Sequence, residues 1–137
     1  MKNLYFLLLL LISPILMFGQ TEKEMKQQLN QMLSEVSQEI NKNCPMPIDE
    51  CTSIISTYGG MGMIMYNLHF DTSCLKELGM SSINEWEIYQ TIAMKNTYCT
   101  DPSFQTFKDF DVKMIWKYLD LDGSFIAKIE FTNEDCQ

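Results

Sequence analysis

Five cysteines, Cys44, Cys51, Cys74, Cys99 and Cys136, all follow an N-terminal segment built for export, and this conjunction limits the chain more than any other feature. Residues 1–19 run from Lys2 through an apolar stretch at 4–12, a Ser13-Pro14 break and a second stretch at 15–18 to Gly19. These are the n-region, h-region and cleavage zone of a secretory signal peptide. The apolar stretch is shorter than the roughly 20 residues a spanning helix needs, so no membrane span is expected after signal removal. Residues 20–137 are then expected as one domain, secreted to the periplasm or the extracellular space, where thiols pair.

An odd cysteine count leaves one thiol free or shared between two chains. Cys99 ends a helical segment and Cys136 follows the last strand, so a disulfide bond between them needs little backbone distortion. Closing a loop of that length stabilises by about 4 kcal/mol in the loop-entropy model. Cys51 stands at the open end of a hairpin, within reach of Cys44 and of Cys74 alike. No Cys-x-x-Cys pair occurs and His69 is the single histidine, which favours structural bridging over zinc or redox chemistry.

Charge removes further classes. Ten lysines and no arginine face 18 acidic residues, a net charge of −8 with Lys2 still counted. Nucleic acid and anionic membrane surfaces need a basic face to release counterions, and neither is expected as a partner. An acidic field of this size keeps a chain soluble, and the protein partner it would attract is a basic one.

Local patterning predicts an α+β domain, 46% apolar overall, in the order helix, two strands, helix, two strands. Thr21 and Glu24 form a capping box ahead of a stripe at Met25, Leu29, Met32, Leu33, Val36 and Ile40, which Pro45 closes. Strands at 51–58 and 61–70 read as a hairpin turning at Gly59-Gly60. Ile64, Tyr66, Leu68 and Phe70 form the core face, leaving Met63, Met65, Asn67 and His69 on the other. Ser82 and Glu85 open a helix to about Asn96 with Ile83, Trp86, Tyr89, Ile92 and Ala93 on its stripe. Asp101-Pro102 starts a short turn with Phe104 and Phe107 inward. Strands at 112–119 and 124–131 join at Asp122-Gly123. The expected architecture is an antiparallel sheet with helices packed on one face.

Two candidate sites follow. The face carrying Met63, Met65, Asn67 and His69 is the candidate surface for a protein or envelope component. The alternative is periplasmic copper(I) binding by Met61, Met63, Met65 and His69, since thioether and imidazole suit that soft ion. No other cofactor is implied. The histidine lies beside no Gly-x-Ser-x-Gly elbow. Asp120 and Asp122 fail as a calcium loop, because Tyr118 and Ile129 would hold its first and last ligand positions. Glu85 and Glu87 do not face one another on a helix. A non-enzymatic domain is expected.

The stretch from Ile40 onward resembles small uncharacterised exported bacterial proteins, on Asn41-Lys42-Asn43-Cys44-Pro45, Ile48-Asp49, Thr52, Tyr66, Cys99-Thr100-Asp101-Pro102, Asp122-Gly123 and Asp135-Cys136. The leader is similar to bacterial Sec signals. The resemblance implies an α+β fold with a bridge between the last two cysteines, and no activity.

Overall fold

The computed structural model describes residues 21–137, so the signal segment at 1–19 lies outside the described residues. Helix α1 (Glu22–Asn41) opens on the capping box at Thr21 and Glu24. Its stripe turns Leu33, Val36 and Ile40 into the core, as 3.6-residue periodicity requires. A two-residue strand β1 (Met46–Pro47) follows, then β2 (Thr52–Gly60) and β3 (Met63–Phe70). Helix α2 (Ile83–Thr100), a short α3 (Gln105–Asp109), β4 (Lys113–Leu119) and β5 (Phe125–Phe131) complete the order.

The five strands lie in sequence order in one sheet. Three pairings are antiparallel, but β3 and β4 run parallel, so the sheet is mixed rather than antiparallel throughout. The reason is geometric: α2 carries the chain back along the sheet, and a strand that follows such a crossover restarts in the original direction. Register then places Ile64, Tyr66 and Leu68 beside Met114, Trp116 and Tyr118, and these beside Phe131, Ile129 and Ala127. Buried side chains of all the α-helices join that one apolar face.

The hairpin between β2 and β3 turns two residues later than its glycine pair indicates. Met61 (φ 53°) and Gly62 (φ 71°) occupy the two turn positions, both left-handed as a type I′ turn requires, while Gly59 and Gly60 belong to β2. Gly59 serves a different purpose. A Cβ there would lie 1.9 Å from the Leu33 carbonyl oxygen, so only glycine lets α1 cross β2 at this distance. A bulge at Ile55 puts both Ile54 and Thr57 on the core face. Ser37 and Thr57 hydroxyls meet at 2.9 Å inside this crossing, and the Asn41 carboxamide bonds both the N–H and the C=O of Thr57.

Helix α2 keeps Ile83 and Trp86 of the expected stripe on its inner side but not the rest of it. Trp86 and Tyr98 are its buried residues, with Ile83, Gln90 and Met94 half-buried alongside, whereas Tyr89, Ile92 and Ala93 face outward. Its inner seam is partly polar: Gln90 Nε2 donates to the Tyr118 hydroxyl, which donates to Met94 Sδ. Aromatic packing reinforces it, Trp86 lying against Phe70 at 4.3 Å and edge-on to Tyr118 at 4.9 Å between ring centroids.

Two disulfides fix the periphery. Cys99 in the last turn of α2 joins Cys136 beyond β5, and Cys51 before β2 joins Cys74 after β3. Cys44 is the free cysteine among the described residues, and burial raises its pKa.

Two expectations follow. Gly59→Ala should cost more than about 3 kcal/mol or abolish folding, whereas Gly62→Ala, with open space but a left-handed backbone, should cost about 1 kcal/mol. Urea unfolding of both variants checks the contrast, and equal losses would contradict the helix crossing. Burial pushes the Tyr118 phenol up to about 12 from 10.0. A raised folded-state value means that this stabilisation is whole below pH 10 and is lost as pH climbs through 12, an amount of about 3 kcal/mol. Tyr118→Phe should flatten that part of the alkaline decline, measured as unfolding free energy against pH.

Candidate functional site

Among the described residues the α-helices cover one face of the sheet and leave the other open, and that open face is where strand alternation sends Met63, Met65, Asn67 and His69. All four are half-buried and stand in a row along β3, flanked by Ser53, Ser56 and Tyr58 of β2 and by Lys113, Ile115, Lys117 and Leu119 of β4. Asn67 Nδ2 donates to Ser56 Oγ at 3.1 Å, tying the row to its neighbour. Ile115 is buried on this face yet stands apart from the core under the helices.

The face is not uniformly acidic. Lys117 and Lys128 are directly opposite across β4 and β5, a like-charge pair that costs stability. Glu130 offsets part of this through contacts of 3.0 Å to Lys128 and 3.8 Å to Lys113. The net negative charge of the chain is therefore not the charge of this surface, and the lysine row there favours acidic rather than basic groups.

Met61 does not share the face. It sits in the turn, 76% exposed, one position before the glycine that reverses the chain. His69 lies four residues beyond Met65, a strand rise of about 13 Å, too far for one ion to bond both. The four residues of the copper(I) set therefore do not converge. No group of three or more His, Cys, Asp or Glu able to hold a metal occurs among the described residues.

A second concavity opens where sequence patterning gave no signal. Helix α2, the loop before β2 and the turn after β3 enclose a groove of about 410 Å³. Phe70 and Trp86 form its floor, Leu78, Met80 and Tyr89 its apolar walls, and Asp49 and Glu50 its rim. These side chains come from four separate segments, and their spacing in the chain carries no period that could have announced them. Leu78 is 48% and Tyr89 61% exposed, with Ile88 and Ile92 continuing the apolar surface along α2. No helix of the described residues is long and apolar enough to cross a membrane.

No protein-family model and no curated protein matches the chain. Solved structures do match it. A Pseudomonas aeruginosa protein described as secreted aligns with a TM-score of 0.69 at 13% identity, over 87% of this chain and 100% of that one. The type 2 secretion system pilotin EpsS of Vibrio vulnificus gives 0.65 at 16%, over 85% of this chain and 98% of its own. The type II secretion system pilotin AspS of Vibrio cholerae gives 0.61 at 12%, over 83% and 97%. At these identities the likeness is one of fold, and the chain is similar to a secreted protein and to secretion-system pilotins in that sense.

Proposed function

We propose that this is an exported, non-enzymatic domain that binds a protein component of the cell envelope through the open face of its sheet. The supporting observation is the half-buried row Met63, Met65, Asn67 and His69 on a sheet face to which the α-helices contribute no core residue. A face that mixes thioethers, an amide, an imidazole and lysine stems offers apolar contact with adaptable hydrogen bonding, as partner surfaces do. Export is supported by the signal-like leader and by two disulfides, which persist in oxidising compartments. A fold similar to that of pilotins supports a place beside envelope secretion machinery.

The test is capture. The exported chain, immobilised with its disulfides intact, should retain a stoichiometric protein from an envelope extract. Met63→Glu with Met65→Glu should lower that capture at least about tenfold while Tm moves by only a few degrees. Undiminished capture by the variant would remove the open face from the proposal, and robust turnover of a substrate would remove the non-enzymatic reading.

A further inference from the structure

We propose that the groove between α2 and the Cys51–Cys74 edge is a second docking site, independent of the open sheet face, for a short segment of a partner protein that presents a large apolar side chain flanked by lysine or arginine. Shape supplies the first argument. The groove has an aromatic floor, Phe70 and Trp86, both nearly inaccessible in their own right and stacked on one another, so an entering side chain meets a rigid surface. Its walls carry the exposed Leu78 and Tyr89, apolar area that a partner would remove from water.

Charge fixes the chemistry of the occupant. Asp49 and Glu50 line the rim, and no lysine lines the groove. Glu77, Glu85 and Glu87 neighbour lining residues in the chain without lining the groove themselves, and Lys76 is the cation among them. The Glu85 carboxylate is already held by the Ser81 backbone N–H and hydroxyl, which keep its pKa low and its charge in place. Asp49 likewise accepts from the Cys51 N–H. An apolar slot with two carboxylates, Asp49 and Glu50, and no lysine in its lining disfavours an acidic peptide and favours a cationic one. This is also the face that matches the acidic balance of the whole chain, which the lysine-bearing open sheet face does not.

Preorganisation is built in covalently. Cys51 lies in the groove wall, and its bridge to Cys74 holds the loop at 49–52 against the turn Thr72–Leu75. The Asp71 N–H further donates to the Cys51 carbonyl at 2.8 Å. A wall pinned this way pays little ordering entropy when a peptide enters.

The experiment uses the disulfide-intact exported chain and labelled synthetic peptides of about a dozen residues, with the same leucine and tryptophan positions but either lysine or glutamate between them. Fluorescence anisotropy should give the lysine peptide an affinity at least about tenfold above that of the glutamate peptide, weakening from roughly 0.05 to 0.5 M salt. Leu78→Lys with Tyr89→Lys, at exposed positions that spare the core, should weaken the lysine peptide by at least about tenfold, and Met63→Glu should leave it unchanged. Equal binding of the two peptides, or binding indifferent to the Leu78 and Tyr89 substitutions, would overturn the proposal. Sedimentation supplies a further arm: a dimer that those substitutions break and that the lysine peptide does not displace would assign the groove to a second copy and overturn it as well.

Discussion

The crossing of α1 over β2 is the constraint on which the rest of the architecture depends. Gly59 lets the helix backbone descend onto the strand at Leu33, and one turn further on Ser37 and Thr57 share a buried hydroxyl contact. Asn41 then bonds both backbone groups of Thr57 at the edge of β2, beyond the point where the short β1 stops pairing. Each of these polar groups is satisfied by another, so the crossing tolerates burial that would otherwise cost about 1–3 kcal/mol per orphaned group. The Asn41 amide also occupies hydrogen-bonding positions that an incoming strand would use, which blunts that edge against pairing with another chain. With α1 fixed across β2 and β3, only the far part of the same face remains for α2.

That remaining part is covered thinly. Of the 18 residues of α2 only Trp86 and Tyr98 are buried, and both reach the sheet through long aromatic side chains rather than close backbone approach. Two large anchors hold a helix off the sheet as well as onto it, and the space left beside Trp86 is the groove. The bridges act where this packing is weakest. Cys99–Cys136 ties the end of α2 to the chain terminus across a separation of 37 residues, and Cys51–Cys74 closes the open end of the hairpin across 23. In the loop-entropy model each contributes about 3–4 kcal/mol through the unfolded state, without asking more of the core. A thinly covered helix, stapled at its end, is compatible with both a stable domain and an accessible apolar slot.

What could be read from the sequence divides along the same lines. Helix α1, the β4–β5 hairpin and the two faces of β3 were legible because each follows from one unbroken period, 3.6 or 2, with its cap or turn residues in place. The pairing of Cys99 with Cys136 was legible from their positions at element ends. The turn at Met61-Gly62 was not, because two glycine signals compete there and only the path of α1 decides that Gly59 is needed for close approach. The inward side of α2 was legible at Ile83 and Trp86 but not beyond them, because Ile88, Tyr89 and Ile92 are exposed while a glutamine and a methionine line the seam. Hydrophobic periodicity assumes that apolar residues seek the core of their own chain, and it points the wrong way on a helix that keeps them outside. The parallel β3–β4 pair lay within reach, since a strand, a long helix and a strand imply it.

Net charge is the remaining quantity that misleads when taken whole. At −8 the chain invites the single conclusion that it repels acids and attracts bases, yet its charges are sorted by face. Lys113, Lys117 and Lys128 gather on the open side of the sheet with Glu130 between two of them, and Lys117 opposes Lys128 across the strand pair. Asp49 and Glu50 gather at the groove on the helical side. A Debye length of about 8 Å at physiological salt is shorter than the thickness of a helix laid on a sheet, so each face presents its own sign to whatever approaches it. The two proposed docking surfaces therefore differ in chemistry. A face studded with lysine stems around Met63 and Met65 and a carboxylate-rimmed aromatic slot beside Trp86 carry opposite local charge, which is why two separate proposals, not one, follow from a single net charge.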